Sequence, residues 1–438
     1  MIKAIMLWPR IASAKPFSRL PMKETKPRFS PVQLYNMLGP GILFAAAAIG
    51  VSHLVQSTKA GAIYGMAMVP ILLIACIAKY PSLLIGLLFP ARTGKTLLQG
   101  YREQGLWALS LYLVIAVYSM WFILAAVAIT TAGLVQALTG WEASLDIVTA
   151  SVLAAAILVL LSGRYDGLEH VSKILLGMLA ILLPIATFMV LPEVDFSAAA
   201  WTIDTWDFAT IAFIIALTGW MPIPVDASVM TSTWAASRNE GQASQTSAAD
   251  ARLDFNIGYV LTILFALCFL VLGAGVMYGS GEAPPAAAGP FAVMVIHLFT
   301  SQLGDWAFYL IGIVAFVTMF TTLLTVLDGQ IRVVVYAVRA VRPSIAIGSF
   351  GQAVALLAYA LGALTIVRFF MQDFATFINF ATSLGFLVAP VVVVLNHQAY
   401  FKQDVSDTDS KTLYWWSLIG GLMICTASGV YFYLSIFT

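Results

Sequence analysis

The chain has 438 residues, of which 61% are hydrophobic and only 10% are charged, and its mean hydropathy is +0.93. Soluble domains carry about 25% charged residues, so this composition indicates a protein whose main solvent is lipid. The formal net charge of +1 gives no electrostatic reason to expect a nucleic-acid partner. The sequence shows no P-loop, dinucleotide fingerprint or HExxH motif, so we expect neither an enzyme nor a cofactor.

The first 36 residues differ from the rest of the chain in their charge. They contain a single acid, Glu24, among many basic residues: Lys3, Arg10, Lys15, Arg19, Lys23, Lys26 and Arg28. The apolar stretch from Ala4 to Trp8 is too short for the core of a signal peptide. We therefore predict that residues 1–36 form a basic cytoplasmic tail and that residues 37–438 form a single transmembrane domain.

Apolar runs long enough to cross a bilayer recur along the whole chain after this tail. They predict eleven spans, at about 37–56, 66–90, 106–138, 146–162, 171–191, 208–237, 252–279, 305–336, 346–369, 372–396 and 412–436. Lys and Arg concentrate in cytoplasmic loops. With the N-terminus inside, almost every loop basic residue falls on the cytoplasmic side, and Arg368 is the main exception. We therefore predict an integral protein of a bacterial inner membrane, with the N-terminus cytoplasmic and the C-terminus extracytoplasmic.

The three cysteines, Cys76, Cys268 and Cys425, lie in separate apolar runs. Pairing would require their helices to pack at matching levels, so free buried thiols are expected.

Two spans carry residues that interrupt a helix. The first span begins Gly39-Pro40-Gly41 and continues through the segment Gly50-Val51-Ser52-His53, and the sixth span contains the segment 218–226, TGWMPIPVD. A proline removes a helical hydrogen bond and clashes with the preceding turn, so two prolines within three residues should open the sixth helix. We predict unwound backbone around Gly50 to His53 and around Thr218 to Pro224.

Unwound backbone at membrane depth is tolerated where it is buried in protein or lines a cavity. Interrupted helices at corresponding positions of two halves point to the central site of a secondary transporter. The first and sixth spans lie five helices apart, which is the spacing that two inverted five-helix repeats would give. We therefore expect the two breaks to face each other at the cargo site.

Three side chains near these breaks are candidate ligands. Asp226 is an acid directly after the sixth-span break, where it could line the site, cap the restarted helix, or do both. His53 could be a metal ligand or a proton carrier, although a lone histidine is more often a satisfied core residue. Met221 offers a soft thioether sulfur, with plain core packing as the alternative.

Other ionisable residues within the spans receive structural interpretations. Lys79 precedes Tyr80-Pro81, and we interpret it as a residue whose long stem reaches the cytoplasmic face. Asp328 and Arg332 are one turn apart and predict a local ion pair. Asp254 and Arg252 are interpreted in the same way.

The first span, GPGILFAAAAIGVSHLVQSTKAGAIYG, resembles the first helix of the Nramp divalent-metal transporters, which reads GPG, eight residues, DPGN, six residues, AGA. The sixth-span segment LTGWMPIPVDAS is similar to the family's MPHN segment, with Ile223-Pro224 in place of the His-Asn pair. The eighth-span segment TTLLTVLDGQ is similar to a Ser/Thr-rich stretch of the family that ends AGQ.

This resemblance implies the leucine-transporter fold, with two inverted five-helix repeats, an eleventh helix, and helices one and six unwound. It also implies transport of a divalent cation such as Mn²⁺ or Fe²⁺ by alternating access, commonly with proton coupling. The family's metal-binding Asp maps to Gly50, its Asn to His53 and its Met to Met221. The alanine whose carbonyl group contributes maps to Thr218.

The departures from the family concern charge. The acidic ligand of the first helix is missing at Gly50, whereas Asp226 is an acid without a family counterpart. The third span, between Trp121 and Leu138, has none of the acids that form the family's proton route. Family-type proton coupling is therefore not expected, and His53 and Asp226 are the remaining candidates for carrying protons.

Three functions remain open from the sequence. The first is a transporter of divalent transition metals with His53, Met221 and Asp226 as ligands, and the retained thioether favours it. The second keeps the fold but moves a small organic solute or amine. The third is a receptor-like protein that transports nothing. Lipid is the only further partner expected, and the sequence is compatible with a monomer.

Overall fold

The structure of the protein is a computed structural model. It describes residues 39–437 except for 163–164, 241–245, 281–283, 286, 346, 371–372 and 403–407. The predicted tail, residues 1–36, therefore lies outside the described residues.

The described chain is helical, and no strand occurs within it. The α-helices are α1 Pro40–Ala48, α2 Thr58–Tyr64, α3 Met68–Thr93, α4 Leu97–Gln104, α5 Leu106–Thr139, α6 Leu145–Leu161, α7 Tyr165–Val190, α8 Phe208–Trp220, α9 Ala227–Glu240, α10 Ala248–Met277, α11 Ala288–Leu303, α12 Ala307–Val341, α13 Ser349–Phe370, α14 Phe374–Phe401 and α15 Thr408–Phe437.

The predicted spans correspond to these helices in order. The first span, predicted at about 37–56, contains α1 and a π-helical turn and continues through α2 to Tyr64, eight residues beyond the predicted end. The sixth comprises α8 and α9, and each other span is one helix. Seven helical stretches of the described chain are long and apolar enough to cross a membrane. The short helices α4 and α11 were not predicted, because the spans were chosen for unbroken hydrophobic length and these segments lie between them.

Both predicted breaks are present, each at slightly different residues from those expected. In the first span α1 ends at Ala48, Ile49 and Gly50 are not helical, and a π-helical turn follows over Ser52–Ser57. His53, expected in the unwound part, therefore lies in that π-helical turn. In the sixth span, residues 221–226 separate α8 from α9, so the break begins three residues later than predicted.

The first span packs closely against α10. An added Cβ at Gly61 would overlap the backbone of α10, and one at Gly273 would overlap the backbone at Thr58. Small residues let helix backbones approach in this way within membranes. The carboxylate of Asp254 accepts hydrogen bonds from Gly39 N (3.2 Å) and Gly41 N (2.8 Å), so it satisfies backbone donors at the start of α1.

Several smaller predictions are confirmed. The predicted Asp328–Arg332 pair is present at 2.7 Å, and Asp328 also accepts from the Trp234 indole at 3.0 Å. All three cysteines are free; Cys76 and Cys268 are buried, whereas Cys425 is only partly buried.

Two acids mark helix starts at the ends of spans. Asp207 accepts from Thr210 N (2.8 Å) at the start of α8, and Asp373 accepts from Thr376 N (2.7 Å) at the start of α14. These backbone hydrogen bonds stabilise the ionised carboxylates and lower the pKa of both groups.

Candidate cargo site at the broken helices

The end of α8 leaves backbone carbonyl groups without helical partners. Met221 N donates to Leu217 O at 3.1 Å and completes the last regular turn. The residues that would bond the carbonyl groups of Thr218 and Trp220 are Pro222 and Pro224, which have no N–H group. The Met221–Pro222 peptide bond is cis. The two prolines therefore expose the negative end of a helix inside the protein.

Lys79 of α3 supplies the missing donor for Thr218 and bonds to two further carbonyl groups beside it. Its side-chain ammonium donates to Thr218 O (2.5 Å), to Gly219 O (2.6 Å) and, at longer range, to Ile223 O (3.4 Å). An ammonium group has three hydrogens, and the three carbonyl groups match that number. The side chain is fully buried, although it lies about 16 Å along the helix from the first residue of α3.

The interpretation of Lys79 as a residue that reaches the cytoplasmic face is therefore wrong. Its stem turns inward because the open end of α8 offers better acceptors than a distant aqueous surface. No local signal in the sequence identifies these acceptors, which lie 139 to 144 residues further along the chain. The available signal was the position of Lys79 deep within a 26-residue helix, which argues against a side chain that reaches the membrane surface.

Asp226 ends the non-helical segment of the sixth span. The residue is 7% exposed and directly precedes Ala227, the first residue of α9. Lys79 and the hydroxyl group of Ser119 are its electrostatic neighbours. Asp226 thus lies between the break and the restarted helix and lines a cavity, and its role as a cap of that helix stays a prediction.

A cavity adjoins Asp226 between the first, third, sixth and eighth spans. Its volume is about 500 Å³, including the part that is open to solvent. The lining residues are Ala47, Ala48, Val51, Ser52, Ile123, Val127, Trp220, Ile223, Pro224, Asp226, Ala227, Met230, Thr322, Val326 and Gln330. Asp226 is the one charged residue among them, so the cavity is a mainly apolar chamber with a carboxylate on its wall.

His53 lies away from this lining. Its Nε2 atom is 2.9 Å from Thr262 O and its Nδ1 atom is 2.8 Å from the Ser52 hydroxyl, and the ring is fully buried. Because a carbonyl oxygen only accepts, Nε2 carries a proton in this arrangement. Both ring nitrogens are therefore engaged in contacts within the protein.

The other predicted site residues take different positions. Met221 is fully buried, and its sulfur accepts from the Ser57 hydroxyl at 3.6 Å. Thr218 contributes its carbonyl oxygen to Lys79, whereas Gly50 borders a separate apolar pocket beside Leu54 and Phe269. Of the five predicted residues, Asp226 alone lines the cavity. No cluster of three or more His, Cys, Asp or Glu side chains suited to a metal ion occurs among the described residues.

Thr322 of α12, which sequence reasoning did not single out, satisfies the break in the first span. Its hydroxyl group lies 2.9 Å from Ala46 O, 3.2 Å from Ile49 O and 3.1 Å from Thr318 O. Its methyl group is the nearest obstacle to a side chain at Gly50. The Thr-rich segment of the eighth span was the available signal, since hydroxyl groups commonly bond to backbone in membrane helices.

This arrangement of two broken helices around a central cavity defines the chain as an integral membrane transporter of the leucine-transporter fold. Solved structures support the fold. A manganese transporter of Eremococcus coleocola, determined as a point mutant, superposes with a TM-score of 0.66 at 14% identity, over 92% of this chain and 88% of that one. MhsT in complex with L-phenylalanine superposes with a TM-score of 0.65 at 15% identity, over 89% of this chain and 98% of that one.

Residues 41–435 match the family described as natural resistance-associated macrophage protein-like, and the chain belongs to that family. It is also similar to an uncharacterized protein of Pasteurella multocida, PM0681, with 33% identity over 403 residues, which are 90% of each chain. Members of the family are transporters and not enzymes. The predicted family and fold are therefore confirmed, and so is the prediction of an integral membrane protein.

Proposed function

We propose that this chain is a secondary transporter that moves a divalent transition-metal ion, such as Mn²⁺ or Fe²⁺, across the membrane by alternating access. The observation that carries the proposal is the buried carboxylate of Asp226 on the wall of the central cavity. A dication in a low-dielectric cavity needs an anionic partner, and the first span, with Gly50, supplies none. Asp226 therefore takes the role of the missing acid.

The family and its structural relatives support a metal cargo. Among them is a protein named as a manganese transporter in Eremococcus coleocola, and the present chain shares its fold. The retained Met221 favours a transition metal over Mg²⁺ or Ca²⁺ when the sulfur leaves Ser57 and turns toward the cargo. We further propose that the N-terminus is cytoplasmic and that the chain acts as a monomer.

Proton coupling by the family's route is not part of this proposal. The third span contributes Ile123 and Val127 to the cavity and places no acid there. Since both ring nitrogens of His53 bond to the protein, Asp226 is the better placed of the two candidates to exchange a proton with the cavity.

A second candidate cargo is a small organic amine. The specific observation in its favour is the lining of the cavity, which is mainly apolar and carries one carboxylate, as small-molecule sites commonly do. In that case Asp226 would bind the ammonium group of the cargo and the lining would contact its carbon skeleton.

Uptake into proteoliposomes tests the proposal. Vesicles containing the parent protein should accumulate Mn²⁺, whereas Asp226→Asn, which keeps the shape of the side chain and removes its charge, should reduce uptake to that of empty vesicles. Asp204→Asn is the matched control, because Asp204 is exposed in the segment before α8. Equal uptake by the parent and Asp226→Asn would contradict the role of Asp226. Uptake of labelled amines but not of Mn²⁺ would favour the second cargo.

A further inference from the structure

The contacts of Lys79 are unusual because they replace hydrogen bonds that a helix ordinarily makes with itself. The carbonyl groups of Thr218 and Gly219 point out of the C-terminal end of α8, where the helix carries a partial negative charge. A hydroxyl group would satisfy one of these carbonyl groups. A fully buried ammonium group satisfies several, and it places a full positive charge at the helix end.

Carbonyl oxygens at the open end of a half-helix are a recognised way to hold a cation in transporters with broken helices. Hard cations prefer oxygen ligands. Here Thr218 O, Gly219 O and Ile223 O converge on one point, and the carboxylate of Asp226 is an electrostatic neighbour of the group that occupies it. The geometry at this point is that of a cation site, and the cation in it is covalently attached to α3.

We propose that Lys79 is a specificity-determining residue: its ammonium group occupies a cation site formed by the carbonyl oxygens of Thr218, Gly219 and Ile223 and excludes free cations from it. The inference rests on the proposed function in one respect, namely that the cavity is the cargo site. The cargo then meets Asp226 from the cavity side, without the use of these carbonyl groups. Removal of the ammonium group converts the position into a site for a free cation.

The substitution Lys79→Met tests this, because methionine keeps an unbranched stem and removes both the charge and the donors. Thermal unfolding of the purified protein is followed in choline chloride, NaCl and KCl at equal ionic strength, and in choline chloride with added MnCl₂. The parent should unfold at the same temperature in the three monovalent salts. Lys79→Met should unfold at a lower temperature in choline chloride, and at least one of the metal cations should raise that temperature saturably, by several degrees.

Lys59→Met is the matched control. Lys59 is also buried, at 6% exposure, but its ammonium group lies 5.9 Å from the ring centre of Phe213 and not at the end of α8. Removal of the Lys59 ammonium group should not allow any of the added cations to raise the unfolding temperature selectively. Lys79→Arg, which keeps a positive charge and several donors, should likewise give no response to added cations.

A Lys79→Met protein that responds to cations no more than Lys59→Met would overturn the proposal. If Lys79→Met does not fold in choline chloride, purification in NaCl, KCl or MnCl₂ should recover it, and failure in every salt counts equally against the proposal. A merely structural lysine would lower the unfolding temperature without any cation-selective recovery. A cation response in Lys79→Met combined with no Mn²⁺ uptake by the parent would leave this inference standing and refute the proposed metal cargo.

Discussion

The two broken helices are held open in different ways. In the first span the non-helical backbone is short, at Ile49 and Gly50, and the neutral hydroxyl group of Thr322 offers its single hydrogen to the carbonyl groups of Ala46 and Ile49. In the sixth span the gap is six residues long, from 221 to 226. The ammonium group of Lys79 donates to the carbonyl groups of Thr218 and Gly219, at the end of the helix that precedes the gap. One break is thus neutral, and the other contains both a positive and a negative group.

The difference shows where charge has been placed in this protein. The family resemblance puts the acidic ligand in the first helix, at the position of Gly50, whereas among the residues that the structure describes the one acid on the cavity wall is Asp226 in the sixth span. A buried acid is costly unless it is compensated, and Lys79 provides nearby compensation.

Among variants that test this difference between the two breaks, we expect the largest change in cation binding from restoring an acid to the first break. Gly50 itself borders the separate apolar pocket, but its neighbours Val51 and Ser52 line the cavity, so Gly50→Asp would add a second carboxylate beside the cavity wall. Two unit charges about 4 Å apart interact by about 4 kcal/mol at an effective dielectric constant of about 20. We expect Mn²⁺ to bind at least about a hundredfold more tightly, which is about 2.7 kcal/mol. Calorimetric titration of the purified variant measures this.

Gly50→Ala is the control for Gly50→Asp, because it introduces the same Cβ atom without a charge. That atom would meet the methyl group of Thr322 at 2.8 Å, so the shift of Thr322 that the Cβ atom requires is common to both variants. Gly50 has no positive φ, so the backbone accepts a side chain there. Equal affinity in the Asp and Ala variants would show that the first break does not face the bound cation.

A smaller change, in the stability of the fold, is expected from removing the Thr322 hydroxyl group at the first break. Thr322→Val keeps the shape of the side chain and leaves the carbonyl groups of Ala46 and Ile49 without their hydroxyl partner. The expected loss of stability is about 1–3 kcal/mol, the cost of a buried polar group left unsatisfied. Thr318→Val is the control, since the Thr318 hydroxyl bonds to Val314 O of its own helix. Chemical unfolding measures the free energy of unfolding of both variants. An equally large loss of stability in Thr318→Val would show that Thr322 has no special role at the break.

Much of the fold could be predicted from the sequence, because lipid imposes simple rules. Span length and the placement of Lys and Arg follow from the thickness of the bilayer and from loop charge. The breaks at Gly50 and at Pro222 and Pro224 follow from the limits that glycine and proline place on a helix. The boundaries were less predictable: the π-helical turn that contains His53 depends on packing against α10, which no local pattern records.

The candidate site was predictable only in part, because its contacts are remote in sequence. Asp226 could be recognised from its position beside two prolines. Lys79 was misinterpreted, since its acceptors are backbone carbonyl groups of another span. Every residue has such a group, so the amino-acid sequence does not identify these acceptors. His53 illustrates the opposite problem: its chemistry suits a metal, yet its ring contacts Ser52 and Thr262.

The central claim is that the negative charge felt by the cargo lies at the break of the sixth span. Crystals of the protein soaked with Mn²⁺ and measured for anomalous scattering test it directly. A peak within about 2–2.5 Å of a carboxylate oxygen of Asp226 is the result that the account predicts. A peak beside His53 and Gly50, with Asp226 more distant than direct coordination allows, would contradict it.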